Sequence, residues 1–408
     1  MARALRLWLH AGWRLLLVVG GALWLAACAT NLGGSDSLTD SLGQSQAPAA
    51  AGNGRPQKPV RIGMLLPLSG FGPQAATSRG MKQGGELALF ELDTPLVQLI
   101  VKDDKGTSQG AAQAAADAIA EGAEILVGPL TAEATVAVAP VARQANVPVL
   151  SFSNDRRVAG PGVYLMSVLP EQEVERIVTY AAAQGKRRFA ALVPDDGYGQ
   201  VVEAALHRAA QRHGGSVAAV GRYPLAANAM LEPVRMLADG LRQSTDTVAP
   251  VDTLLVAGGA EALPEIDPIL TYSGIRGDAV QLIGTGGWDY PNAGRAQAFV
   301  RGWYPGPDPH GWQDYVQRFS RTFGQPPPRL SSLAYDAVSV AIALSAAEPG
   351  RRFTAEALTR QAGFTGVDGH LRFRPDGLSE RAIAVLELQT FGGHVLDAAQ
   401  AVPPPDGR

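Results

Sequence analysis

"LVQLIVKDDKGTSQGAAQAAADAIAEGAEILVGPL", residues 96–130, decides the fold of this chain. It reads in three phrases. The first, 96–104, is an apolar run closed by two acids, the pattern of a strand buried on both faces in a parallel sheet. The second, 109–122, is an Ala-rich helix, and Gly122 is placed to close it in the left-handed conformation that a side chain disfavours. The third, 123–130, is again an apolar strand. Strand, loop, helix and strand in succession form a crossover unit, which builds a parallel sheet covered by helices.

The same grammar extends in both directions. "VRIGMLLPL" (60–68) is a strand, and "SRGMKQGGELALFEL" (78–92) has helical spacing with Met81, Ala88 and Leu92 near one face. After the quoted stretch come a helix, "TAEATVAVAPVARQAN" (131–146), and a strand, "VPVLSFS" (147–153). The pattern restarts after Pro170. A helix over 171–185 carries acids in its first turn, which suits the helix dipole. Strands follow at 187–196, 216–224, 251–259 and 279–287, with helical stretches between. Beyond Trp288 the order loosens. Residues 310–324 and 331–348 read as amphipathic helices, 353–361 as a short helix, and the alternation around Pro375-Asp376-Gly377 as a hairpin. The predicted class is α/β, with two doubly wound α/β units of similar size.

The amino-terminal segment does not belong to that fold. Arg3, Arg6 and Arg14 precede an uncharged run, residues 15–27, too short for a bilayer core that needs about 20 apolar residues. It has the charged start, apolar middle and small-residue end of a secretion signal. Leu25-Ala26-Ala27-Cys28 resembles the lipobox of bacterial lipoproteins, which implies cleavage before Cys28 and a lipid on that residue. Cys28 is the single cysteine of the 408 residues. Its loss to lipidation leaves no disulfide, no thiol nucleophile and no cysteine-based zinc site. Residues 28–58, rich in Gly, Ser, Ala, Gln and Pro, cannot offset their ordering entropy and read as a flexible tether. The formal charge is −3, and loss of the three signal arginines makes it −6. An acidic chain has no electrostatic footprint for nucleic acid.

Enzymatic chemistry finds little purchase. There is no Gly-x-Ser-x-Gly elbow and no phosphate loop. The six His are scattered without metal-ligand spacing. Asp103-Asp104 and Asp195-Asp196 are paired acids, but acids at strand ends are ordinarily solvated loop residues. Gly197-Tyr198-Gly199 lacks the rest of a dinucleotide fingerprint. No cofactor is expected.

Three stretches, 62–89, 101–153 and 364–377, taken in their order and spacing, resemble the type I periplasmic binding proteins of the leucine/isoleucine/valine-binding class. The resemblance runs from Val60 to about Leu396. It implies two doubly wound α/β lobes with a ligand cleft between them, lobe one at 59–168 and 291–365, lobe two at 169–290 and 366–398, and a tail at 399–408. Open α/β sheets bind ligands beyond the carboxyl ends of their strands, and pockets favour domain interfaces. Those ends nominate Ser69, Gly70, Phe71, Thr131, Ala132, Glu133, Ser151, Ser153, Asp155, Tyr198 and Trp288 as ligand-binding residues. In the amino-acid-binding relatives such groups hold the ligand carboxylate. Here Glu133 and Asp155 stand at that corner and would repel it, which favours a cationic or sugar-like ligand, or no small ligand.

The resemblance implies a non-catalytic, lipid-anchored receptor for an amino acid or another small polar solute. Its partner would be an inner-membrane ABC permease. The alternative is a lipoprotein activator of a penicillin-binding protein, which uses the same fold to bind a peptidoglycan synthase. Ala29, in place of the Asp that commonly retains lipoproteins in the inner membrane, implies the outer membrane.

Overall fold

A computed structural model describes residues 58–69, 72–92, 96–242, 250–275, 277 and 279–399. All belong to one compact unit, Pro56–Arg408. Cys28, the signal segment, nearly all of the tether and residues 400–408 of the tail lie outside the described residues, as do Gly70 and Phe71.

Five parallel strands form the first sheet: β1 (Val60–Leu66), β2 (Val97–Asp103), β3 (Ala123–Val127), β4 (Val149–Ser151) and β5 (Val163–Leu165), in the order β2-β1-β3-β4-β5. Three helices belong to this part of the chain: α1 (Pro73–Leu92), α2 (Ser108–Ala120) and α3 (Ala132–Gln144). Strand β1 is buried at every position but one, as a central strand covered on both faces must be. Helix α2 is capped by Thr107, whose hydroxyl accepts from the Gly110 N–H, and Gly122 beyond its end takes φ +91°. The first lobe thus follows the expected grammar, with β5 added where the sequence offered only three apolar residues.

The chain then passes to a second lobe. Helix α4 (Pro170–Ala183) is followed by β6 (Arg188–Pro194), α5 (Gly197–Arg212), β7 (Ser216–Tyr223), α6 (Ala227–Arg242), β8 (Thr253–Val256), α7 (Leu263–Tyr272), β9 (Gln281–Gly284) and β10 (Trp303–Gly306). It returns to lobe one for α8 (Pro309–Phe323), α9 (Ser331–Ser345), α10 (Ala355–Leu358) and a small antiparallel sheet of β11 (Phe364–Gly366), β12 (Gly369–Phe373) and β13 (Ser379–Arg381). The last strands, β14 (Ala384–Gln389) and β15 (Gly392–Asp397), complete the second sheet, of order β15-β14-β10-β9-β8-β6-β7.

This topology moves two boundaries from where they were expected. Residues 291–306 belong to lobe two, because β10 pairs with β9 on one side and β14 on the other. Residues 366–381 belong to lobe one, because Phe364, Leu371 and Phe373 pack into the core that holds Ile62, Met64 and Val338. The chain crosses after β5, after β10 and after β13. Helix α9 also differs from expectation. It is buried nearly all round rather than amphipathic, sandwiched against α1. The approach needs glycine: a Cβ on Gly84 of α1 would stand 2.4 Å from the Ser331 carbonyl oxygen.

Candidate functional site

The carboxyl ends of both sheets face a cleft of about 670 Å³. Lobe one contributes Leu130, Phe152 and Asn154 after β3 and β4, and lobe two contributes Pro194, Tyr198, Tyr223 and the glycines of residues 258–259 and 286–287. Crossing segments close the floor through Ser167, Arg381 and Ile383.

Of the residues nominated from sequence, Tyr198 lines this cleft. Its hydroxyl donates to Thr285 Oγ1 at 2.9 Å. Burial and the neighbouring Glu173 carboxylate raise its pKa. The others are engaged in local structure. The Ser69 hydroxyl and N–H both bond to Asp103. Thr131 caps α3, its Oγ1 accepting from the Ala134 N–H at 3.2 Å. Ala132 sits in the first turn of that helix, and Glu133 beside it is exposed. Ser151 is buried, bonded to Thr135 Oγ1 at 2.7 Å and accepting from the Ser153 N–H at 3.1 Å. Ser153 is buried and accepts from the Asp155 N–H at 3.1 Å. Asp155 receives the Arg157 guanidinium, which holds its carboxyl below the usual range.

Trp288, expected at the cleft, fills the core of lobe two instead. It is fully buried, edge-on to Phe299, and its indole N–H donates to the Val256 carbonyl at 3.0 Å. The Gly286-Gly287 pair before it serves backbone packing. A Cβ on Gly287 would meet the Gly258 carbonyl oxygen at 2.4 Å, and one on Gly286 would meet Glu173 Oε1 at 2.4 Å.

The charged groups of the cleft were not nominated from sequence. Glu173, in the first turn of α4, reaches across to accept from the Gly286 N–H at 3.0 Å. Enclosure pushes its carboxyl up to about 7, the Asp289 charge pushes the same way, and the Gly286 N–H opposes both. Arg329, on the loop before α9, donates from Nε to Asp289 Oδ2 at 2.8 Å, from Nη2 to Asp368 Oδ1 at 2.9 Å and from Nη1 to Ser332 Oγ at 2.8 Å. Arg381 has a side chain 1% exposed. It donates from Nε to the Met166 carbonyl at 2.9 Å and faces Asp336 Oδ2 at 3.5 Å. Asp336 in turn accepts from the Val367 N–H at 2.7 Å, and burial raises its pKa in spite of Arg381.

Among the described residues lining the cleft, five carboxylates (Glu173, Asp196, Glu261, Asp289 and Asp368) stand against two guanidinium groups. Arg329 is paired with Asp289 and Asp368, whereas Arg381 faces Asp336 at 3.5 Å and keeps Nη1 and Nη2 buried without a hydrogen-bond partner. The cleft therefore offers an incoming solute a negative potential, apolar walls and, in Glu173, a carboxylate whose recorded partner is one backbone N–H.

Comparison with known proteins agrees with this architecture. The family described as periplasmic binding protein matches residues 59–393. Among curated proteins, an uncharacterised protein of Rickettsia prowazekii is 24% identical over 199 residues, 48% of this chain. The match takes in 52% of that relative, so the chain spans about half the length of the curated protein it resembles. Solved structures with the same fold include an ABC transporter substrate-binding protein from Sphaerobacter thermophilus, at TM-score 0.71 and 21% identity over 83% of this chain and 97% of that one. A leucine-binding protein from Thermotoga maritima follows at TM-score 0.62 and 20% identity over 85% and 99%. A solute-binding protein from Rhodopseudomonas palustris BisB5, in complex with 3,4-dihydroxybenzoic acid, has TM-score 0.67 and 18% identity over 84% and 99%. At these identities the likeness establishes the fold.

Proposed function

The chain belongs to the periplasmic binding protein family, and from that premise we propose that it is the solute receptor of an ABC-type importer, taking a small amphipathic solute with a cationic group. It is a binding protein rather than an enzyme. Membership in this family implies a periplasmic location, and lipid on Cys28 would tether the receptor to a membrane there. The observation that carries the ligand class is Glu173. Its carboxylate stands among five cleft acids against two arginines, with the Gly286 N–H as its hydrogen-bond partner and Arg329 tied to Asp289 and Asp368, so an ammonium meets an excess of negative charge. Closure of two lobes around a solute is the motion this architecture permits.

Melting of the full chain in detergent with amines, amino acids, sugars and muropeptides tests the reading. An amine-bearing solute at about 100 times its Kd should add about 2.7 kcal/mol of stability, and the gain should vanish in Glu173→Gln. No stabilisation by any solute would sink the receptor reading. A second reading, activation of a peptidoglycan synthase, is favoured by Ala29 after Cys28, which suits an outer-membrane anchor. Capture of such a synthase, with no permease, by the full chain would select it.

A further inference from the structure

The cleft abuts a second cavity of about 330 Å³, and Asp289, Pro307 and Arg329 stand in the walls of both. The second cavity lies between the two lobes: α8 and the loop before α9 supply one side, and the segments after β9 and β14 supply the other. Its lining is mainly aromatic and aliphatic, with Tyr290, Tyr304, Trp312, Val316 and Phe391, and carries the amides of Asn292 and Gln313. Arg329 is the charged residue of lobe one at the seam. Its Nε, Nη1 and Nη2 each donate to a neighbour, and its guanidinium carbon lies 4.6 Å from the centre of the Trp312 ring. A guanidinium fixed at three nitrogens and stacked on an indole is held as a rigid wall. The wall spans the lobes, because Asp289 follows β9 in lobe two whereas Ser332 and Asp368 belong to lobe one.

We propose that Arg329 is a specificity-determining residue: it partitions one site into a front chamber that takes a polar head and a rear chamber shaped for an apolar, aromatic tail, and so limits the length of solute the protein accepts. The inference rests on the solute-receptor reading. It adds a residue and a length rule that the charge of the cleft does not supply. Removing the guanidinium joins the chambers, and a solute carrying a longer tail then buries it among Tyr290, Trp312 and Val316 rather than leaving it in water.

Two homologous series test it on the full chain in detergent, by calorimetric titration: ω-phenylalkylamines and ω-phenylalkanoic acids of increasing methylene number. Wild-type affinity should fall as the chain lengthens. Arg329→Ala should shift the preference to longer homologues, gaining about tenfold for each two methylenes newly buried. Asp289→Asn keeps the Arg329–Asp368 pair and the Ser332 bond. It loosens only the seam, and should move the preference the same way by less, which guards against misfolding of the first variant. An unchanged length preference in both variants overturns the inference, as does failure of every homologue to bind any of the three proteins. The headgroup separates the two ideas. If acids bind better than amines while Arg329→Ala still shifts the length, the partition stands and the cationic reading falls. If amines win and the length preference does not move, the reverse holds.

Discussion

Replacing Glu173 by Gln separates what a carboxylate costs the fold from what it brings to the cleft. The group titrates near 7 in the folded chain, against an ordinary value of 4.5, because enclosure outweighs the Gly286 N–H. Below 4.5 it is protonated in both the folded and unfolded chain, and its burial carries no ionic penalty. Between 4.5 and about 7 the unfolded chain gives up its proton first, so stability falls as pH rises, by about 1.4 kcal/mol per pH unit at the steepest. Above 7 the penalty levels off at about 3 kcal/mol, the free energy of a rise of that size. Gln has the same length, carries no charge and keeps a carbonyl oxygen for the Gly286 N–H. The variant should therefore match the wild type at about pH 4 and exceed it at about pH 8 by up to ~3 kcal/mol. In a chain of this size that is several degrees of melting temperature. The assay is the melting of both full chains across that range. A difference that does not change with pH, or a variant less stable than wild type at the alkaline end, would refute the reasoning. The same substitution should abolish amine binding, so that stability and function move in opposite directions.

Three further outcomes follow from the geometry. Asp336→Ala leaves the Arg381 guanidinium buried without its counter-charge, and chemical denaturation should show a loss of about 3–5 kcal/mol, much of it restored by Arg381→Met in the same chain. Trp288→Ala should cost about 3–5 kcal/mol through the void it leaves among Phe299 and Tyr304; the preserved order of solute affinities, read by titration, would confirm that the indole serves the core and not the cleft. Gly286→Ala drives a methyl group against Glu173 Oε1, 2.4 Å away, and should weaken amine binding by about as much as Glu173→Gln while leaving far-ultraviolet circular dichroism unchanged.

The strands that were legible in the sequence are those whose apolar runs are bounded by turns: β1 to β4 and β6 to β9. Strands β5 and β10 were not. One has three residues and the other reads Trp-Tyr-Pro-Gly, so neither offers a period to detect, and both are fixed by neighbours far along the chain. The displaced lobe boundaries have the same cause. Nothing in residues 291–306 announces that they will pair with β14, some eighty positions later. Within the site the failure was one of parity. Ser151 and Ser153 were nominated after β4, and the cleft receives Phe152 and Asn154. In extended backbone alternate residues point to opposite sides, so a slip of one exchanges the whole set.

The acidity of the cleft was anticipated, but it arrives through different residues. Glu133 is solvated on α3 and Asp155 is tied to Arg157. The acids that count, Glu173, Asp289 and Asp368, come from a helix start, the segment that follows β9 and a turn between two short strands, brought together only by the chain crossings. The arginines that could have balanced them were equally invisible as site residues, since Arg329 and Arg381 precede or end elements assigned to packing. A cleft's charge balance depends on which carboxylates keep their own cations. Here Arg329 takes Asp289 and Asp368, and Arg381 faces Asp336. Glu173 accepts from the Gly286 N–H, and its burial, with the Asp289 charge nearby, raises its pKa. A bound ammonium would lower it again. Solute binding should then release protons below about pH 7, and a calorimetric enthalpy that varies with the ionisation enthalpy of the buffer would register them. An enthalpy identical in all buffers would mean that the solute does not meet Glu173.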